Sequence, residues 1–333
     1  RKVAGSQHRI RFHVDDLMSS QLTIVNDKFH KWLNKSYGKL GEVKTTRGKV
    51  HDFLGMKFDF RERGKVRIDM IDYILKMLEE SPIKLSKTDT AMTPASNSLL
   101  QKGTSKTLDK RRAKSFHTTV AQGLFVSKRG RPDIQPTVAV LCTRVQDPTE
   151  SDWDKLVRLL KYLNGTRKKT LVLSADNLRV LKWFVDVSFG VHPDFKSHTG
   201  SVLTMGNGAI QSQSMKQKVN SRSTCEAELI GADDALTQIL WTKLFLEDLG
   251  YPVEKNILYQ DNQSAILLEV NGRKSIGKRS RHLSIRYFFL SDQVQQGKVS
   301  VEYCPTDKMV ADYMSKPLQG AKFTQFRRAI LGE

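Results

Sequence analysis

Leu181-Lys182-Trp183-Phe184-Val185-Asp186-Val187 is the stretch whose reading decides the fold. The run is apolar and rich in β-branched and aromatic residues, which predicts a strand, and it carries one carboxylate, Asp186, near its end. Two more strand-like segments follow, Ser201 to Met205 and Ala209 to Ser214, parted by the turn signal Gly206-Asn207-Gly208. Ser223 to Leu249 then keeps helical spacing through Leu229, Ile230, Leu236, Ile239, Leu240, Leu244 and Leu249, and Gly250 with Pro252 stops it. A strand over Asn256 to Gln260, a helix after Asp261, a basic stretch, a strand over Val299 to Cys304 and a helical stretch over Lys308 to Lys316 complete the order. The pattern β-β-β-α-β-α, then β and α, predicts a mixed α/β sheet with its helices in the C-terminal half.

Four carboxylates fall at telling places in that order: Asp186 in the first strand, Glu228 early in the long helix, Asp261 at a strand end and Asp312 in the last helical stretch. Like charges brought together raise one another's pKa, so their convergence needs a cation. Two Mg²⁺ ions roughly 3.5 to 4 Å apart, held by carboxylates and water, suit in-line hydrolysis of a phosphodiester, with Mn²⁺ as the alternative ion. Each residue also has a plainer reading. Asp261, before Asn262-Gln263-Ser264-Ala265, suits a helix N-cap, and Asp312 suits a surface charge.

The residues around these carboxylates carry a family resemblance. Tyr259-Gln260-Asp261-Asn262-Gln263-Ser264-Ala265, Ser223-Thr224-Cys225-Glu226-Ala227-Glu228-Leu229, Arg281-His282-Leu283-Ser284-Ile285-Arg286-Tyr287 and Ala311-Asp312-Tyr313-Met314-Ser315-Lys316-Pro317-Leu318 resemble the ribonuclease H segment of copia-type long-terminal-repeat retrotransposon Pol polyproteins. Upstream, Phe12-His13-Val14-Asp15-Asp16-Leu17 resembles the aromatic-Val-Asp-Asp hairpin of reverse transcriptase palms. Phe53, Leu54, Gly55 and Met56 resemble the primer-grip segment that follows it.

The resemblance implies that Asp186, Glu228, Asp261 and Asp312 are catalytic metal ligands, with Glu226 the competitor for the second place. Glu226 and Glu228 lie about 200° apart on a helix, so only one of them faces the metals. It also makes Asp15 and Asp16 a polymerase-motif remnant. Without the family, an Asp-Asp pair between short strands reads as a turn, and Phe53 to Met56 as a buried strand. The chain starts with Arg rather than Met, without a signal peptide or transmembrane run, and only fourteen residues precede Asp15. It therefore reads as a piece of a polyprotein or of a decayed element, with polymerase activity incomplete.

The expected organisation is residues 1–68 as the end of a partial α+β reverse transcriptase palm, 69–165 as a helical thumb, 166–180 as a tether, 181–316 as a ribonuclease H-like mixed α/β domain, and 317–333 as a basic tail. Thumb helices are expected near Leu108 to Lys128, Asp133 to Val145 and Asp152 to Asn164, where Trp153, Leu156, Val157, Leu160 and Leu163 keep core spacing.

Composition points to a polyanionic partner. Lys plus Arg number 55 against 35 Asp plus Glu, a formal charge of +20. Phosphate contacts of that kind give affinity and salt dependence but little base reading. One basic cluster is Lys102, Lys106, Lys110, Arg111, Arg112 and Lys114; the other is Arg273, Lys274, Lys278, Arg279, Arg281 and Arg286, which together with His282 suits the backbone of an RNA-DNA hybrid. Cys142, Cys225 and Cys304 are widely spaced and indicate neither zinc nor a disulfide framework.

The reading is a retrotransposon reverse transcriptase and ribonuclease H fragment that cuts the RNA strand of RNA-DNA hybrids. Its expected partners are the hybrid, a template-primer and the rest of the Pol polyprotein, with no membrane. An intracellular setting is expected, a cytoplasmic particle or the nucleus. The alternatives are a catalytically dead nucleic-acid-binding remnant, and a transposase or integrase, which usually ends its triad with a Glu where this chain has Asp312.

Overall fold

The computed structural model describes residues 2–3, 6–14, 16–20, 23–41, 43–272 and 288–333. The order begins with two short antiparallel pairs, β1 (Lys2–Val3) with β2 (Ser6–Gln7) and the hairpin β3 (Arg9–His13) and β4 (Asp16–Ser20), then helix α1 (Thr23–Tyr37). An antiparallel meander follows: β5 (Val50–Phe53), β6 (Met56–Asp59) and β7 (Lys65–Asp69). Four helices come next, α2 (Ile71–Glu80), α3 (Lys110–Ser127), α4 (Gln135–Cys142) and α5 (Glu150–Thr166), with a 3₁₀ turn over Pro132–Ile134. Local chemistry sets their ends. Asp109 caps α3 by accepting from the backbone of Arg111 and Arg112, and Thr149 with Asp152 forms a reciprocal capping box at α5.

The second half holds β8 (Leu171–Ala175), β9 (Val180–Ser188), β10 (His198–Thr204), β11 (Gly206–Asn207), β12 (Gln211–Lys216), α6 (Thr224–Asp248), β13 (Lys255–Gln260), α7 (Gln263–Asn271), α8 (Phe288–Gln295), β14 (Ser300–Tyr303), α9 (Asp312–Ser315) and α10 (Gly320–Leu331). Five strands make a mixed sheet in the order β12-β10-β9-β13-β14. The first three are antiparallel, and β13 runs parallel to both β9 and β14.

Alternation along β9 gives the sheet two buried faces. Leu181, Trp183 and Val185 pack with Ala232, Ala235, Leu236 and Ile239 of α6 and Leu290 of α8. On the other face, Val202 and Ala209 share one core with Met77, Val138, Leu141 and Tyr162 of the helical region, and with Tyr313, Met314, Phe323 and Phe326. The helices read as a separate thumb are thus built onto the back of the second sheet.

Two boundaries differ from the expected ones. Residues 166–180 are no plain tether, because Leu171–Ala175 pairs with β7 and extends the first sheet, and Ser174 and Ala175 also pair with Gly206–Asn207, the expected hairpin turn. Residues 317–333 are no surface tail. Phe323, Phe326, Ile330 and Leu331 on one side of α10 are buried, since the apolar stripe that made the segment amphipathic has a core to enter.

Candidate active site

The register of the central sheet brings distant carboxylates together. Tyr259 on β13 lies level with Phe184 on β9, so Asp261, two residues further along, comes level with Asp186. Glu228 arrives from the first turns of α6. One oxygen from each of Asp186, Glu228 and Asp261 lies within 4.8 Å of the other two. Asp186 and Glu228 are buried and Asp261 is half-buried, so the group opens to solvent on one side.

Helix geometry separates the two glutamates. Glu228 points into the group, where Gln260 Nε2 donates to its Oε2 at 3.3 Å. Glu226 stays at the helix start and accepts from the Arg222 N–H at 2.7 Å, while its own N–H donates to the N-cap Ser223 Oγ. The capping alternative for Asp261 is likewise resolved. Asn262 is the N-cap of α7, accepting from the Ala265 N–H at 3.1 Å, and the Asp261 carboxylate accepts from Thr306 Oγ1 at 3.1 Å.

Asp312 lies next to this group rather than within it. Its Oδ1 pairs with Lys316 Nζ at 2.5 Å and its Oδ2 with Lys322 Nζ. Lys316 also reaches Asp186 Oδ2 at 3.3 Å, and Ser315 Oγ donates to the same oxygen. A lysine therefore bridges the first and fourth of the predicted carboxylates.

The electrostatics follow from burial and crowding. Burial, reinforced by Asp186 and Asp261, pushes Glu228 up to about 9. Burial also pushes Asp186 up to about 6, against the pull of Lys316 and with help from Asp312. At Asp312 burial works the other way from its two lysines, and the lysines win, holding the carboxyl below its usual range. Three crowded carboxylates that resist joint ionisation, offering hard oxygen donors at one solvent-open point, fit a divalent cation.

Several supporting residues were not assigned roles from the sequence. Gln260 is fully buried; its Oε1 accepts from the backbone of Asp261 and Asn262 while its amide holds Glu228, so one side chain ties the Glu228 carboxylate to the backbone that carries Asp261. Gly200 lies opposite Asp186, and a Cβ there would stand 2.6 Å from both Ala311 O and Ser315 N, so the absent side chain lets α9 lie against the sheet. Gly231 does the same for α6, where a Cβ would meet Val187 Cγ2 at 2.5 Å. Gly231 follows Glu228 by less than one turn, a legible signal; Gly200 has no local signal.

Hydrogen bonds from both sides anchor α9. Ser214 Oγ donates to Met314 O at 2.7 Å and is backed by buried His198 and His192. Tyr313 Oη donates to the backbone oxygen of Asp133 at 2.9 Å. Asp133 itself is fully buried in a bidentate pair with Arg131 and accepts from Tyr162.

Other predicted residues lie elsewhere. Asp16 begins β4 opposite His13 and is exposed, and Phe53, Leu54, Gly55 and Met56 form the tight β5–β6 turn, with Phe53 buried and both Leu54 and Gly55 at positive φ. Asp15 and the basic set Arg273, Lys274, Lys278, Arg279, Arg281, His282 and Arg286 lie outside the described residues. A further basic surface appears that was not anticipated, a cleft of about 760 Å³ whose lining includes Lys65, Arg67, Lys87, Arg167, Lys168 and Lys169. No helix among the described residues is long and apolar enough to cross a membrane.

Comparison with known proteins places the chain among retroelement polyproteins. No family model matches the chain. A transposon Ty5-1 protein of Saccharomyces cerevisiae is 30% identical over 234 residues, covering 69% of this chain and 73% of that protein. The retrovirus-related Pol polyprotein from transposon TNT 1-94 of Nicotiana tabacum is 29% identical over 282 residues, 83% of this chain and 21% of the polyprotein. That from transposon RE2 of Arabidopsis thaliana is 31% identical over 202 residues, 60% of this chain and 14% of the polyprotein. The chain belongs to the Pol polyprotein family of copia-type and Ty1/Ty5 long-terminal-repeat retrotransposons, and spans about a fifth or less of the plant polyproteins it matches. A ribonuclease H1 structure from Halobacterium salinarum overlaps 40% of this chain and 93% of its own at 15% identity and a TM-score of 0.27.

Proposed function

We propose that residues 181–316 act as a ribonuclease H, hydrolysing the RNA strand of RNA-DNA hybrids with a divalent cation. The observation that carries this is the convergence of Asp186, Glu228 and Asp261 from a central strand, the first long helix and the end of a parallel neighbouring strand. The strand order β12-β10-β9-β13-β14, three antiparallel and two parallel, is the element order on which the ribonuclease H reading rests.

In this reading Asp186, Glu228 and Asp261 hold Mg²⁺ or Mn²⁺ through oxygen donors. When bound, the cation supplies Lewis acidity toward an attacking water and toward the scissile phosphate. Gln260 keeps the Glu228 carboxylate turned toward the other two, and Thr306 restrains Asp261. Asp312 and its lysines border the group where Asp186 faces α9. Preference for an RNA strand comes from its 2′-hydroxyl and the shape of the hybrid rather than from base edges. The basic stretch around Arg281 and His282 is proposed to track the hybrid backbone, with Asp15 and Asp16 belonging to a polymerase metal site.

The test is cleavage of an end-labelled RNA-DNA hybrid in Mg²⁺ by the whole chain, with single-stranded RNA and duplex DNA as controls. RNA cutting restricted to the hybrid and lost in Asp261→Asn is the expected result. Tight, salt-sensitive binding without cutting would instead favour a nucleic-acid-binding remnant.

A further inference from the structure

We infer that the basic cleft bounded by β7, the loop after α2 and the connection from α5 to β8 is a second nucleic-acid contact, holding the phosphate backbone of the duplex arm of a hybrid away from the carboxylate group, an inference that rests on the ribonuclease H reading only for the identity of the ligand. The cleft has a volume of about 760 Å³, and six cations line it against two carboxylates. Both carboxylates are already paired, Glu62 with Lys65 and Glu333 with Lys169, each at 2.5 Å. Arg67, Lys87, Arg167 and Lys168 have no carboxylate within ion-pair distance among the described residues; Arg67 Nη1 donates instead to Thr170 Oγ1 at 3.2 Å. Like charges gathered in one cleft repel, so their company favours a polyanion. The end of α5 does not oppose one, because Thr166 O already accepts from Arg131 Nη1 at 3.0 Å and from the Lys169 N–H at 2.9 Å.

The shape of the cleft selects among polyanions. Among the described residues no aromatic side chain lines it, so it lacks the stacking platform on which single strands are held. Its cations do not close round one point either. Lys65 and Arg67 alternate onto one face of β7, Lys87 comes from the loop after α2, and Arg167 and Lys168 follow α5, with Lys87 and Lys168 exposed. That spread suits successive phosphates of a duplex backbone rather than one small anion.

Register places the cleft far from the carboxylates. On β10, Gly200 is level with Asp186 and Thr204 with Lys182, so the chain beyond Thr204 lies toward the opposite end of β9. There Gly206–Asn207 pairs with β8, and β8 with β7, which carry one wall of the cleft. The run of β9 from Val180 to Asp186 is on the order of 20 Å at about 3.3 Å per residue, so a hybrid cut at the carboxylates reaches the cleft only with its flanking duplex.

Fluorescence anisotropy of a labelled RNA-DNA hybrid of about 24 base pairs, bound by the whole chain in EDTA, tests this with K87Q K168Q beside K102Q K106Q, an equal loss of charge outside the cleft. K87Q K168Q should bind at least about tenfold more weakly at about 0.1 M salt, with the slope of log Kd against log salt shallower by about 1.8, since each neutralised phosphate contributes about 0.9. K102Q K106Q should stay within about threefold of wild type. Unchanged affinity in K87Q K168Q, or an equal loss in K102Q K106Q, would overturn the inference, the second by showing that net charge alone is read. An equal loss on single-stranded RNA or DNA of the same length would overturn the duplex assignment. Failure of the ribonuclease H reading looks different: the lysine-dependent binding in EDTA persists while wild type leaves the hybrid uncut in Mg²⁺.

Discussion

Gly200→Ala tests whether the position of α9 sets the activity. The added methyl would sit 2.6 Å from Ala311 O, 2.6 Å from Ser315 N and 2.7 Å from Met314 Cβ, all on the short segment that carries Asp312 and Lys316. Two of those three atoms are backbone, so no rotamer change relieves the clash. Ordinary carbon contacts begin near 3.5 Å, so α9 must retreat by roughly 1 Å or β10 must bow by as much. Overpacking of this kind costs about 1–3 kcal/mol of stability. The larger effect falls on chemistry. Gly200 is level with Asp186, and a displacement of about 1 Å pulls Ser315 and Lys316 away from the Asp186 carboxylate, a change of the size that lowers rates about 10²-fold. The assay is single-turnover cleavage of the labelled hybrid beside a thermal melt of the same preparation. A G200A protein that melts within about 3 °C of wild type yet cuts about a hundredfold more slowly agrees with the argument; cutting within about twofold of wild type refutes it.

Three other outcomes follow from buried polar groups. Arg131→Met strips Asp133 of its bidentate partner in a site that is 0% exposed, so it should cost about 3–5 kcal/mol in a denaturant melt, and Arg131→Met with Asp133→Leu should cost less than Arg131→Met alone. Gln260→Leu keeps the volume but frees Glu228 and two backbone N–H groups, so Mn²⁺ affinity measured by calorimetry should fall about tenfold or more; unchanged affinity would remove Gln260 from the site's support.

Glu269 is fully buried, neither of its oxygens has a close hydrogen-bond partner among the described residues, and burial raises it to about 8, partly offset by Gln260. A carboxyl raised on folding favours the folded state most below its unfolded value of 4.5, and that advantage drains away as pH rises through about 8. Glu269→Gln should therefore gain on wild type by about 1.4 kcal/mol per pH unit across that window, and parallel stability-pH curves would refute it.

Local chemistry carried much of the reading. The strand containing Asp186, the long helix with its Ser223 cap and Gly250 stop, and the strand before Asp261 were legible because alternation, helical spacing and caps act within a few residues. That Glu226 and Glu228 face different ways was legible for a related reason, helix geometry, while the preference for Glu228 came from the family resemblance. The capping of α7 was not, because Asp261 and Asn262 are equally good caps by composition and the fold uses Asn262.

What the sequence by itself determined is the order of elements and which carboxylates stand on them. Only tertiary structure decided that three converge while Asp312 faces Lys316 and Lys322, because convergence depends on strand register and on how α9 and α10 dock against the sheet, and the tie from Lys316 to Asp186 spans 130 residues. Tertiary structure also placed strand β8 within a predicted tether and made a predicted tail into α10, a helix with one side buried, since an amphipathic or β-prone segment records what it can bury but not the surface it will meet. The tie from Tyr313 to Asp133 belongs to the same class: a hydrogen bond across 180 residues leaves no periodicity or cap to read, yet it helps hold the last carboxylate in its place.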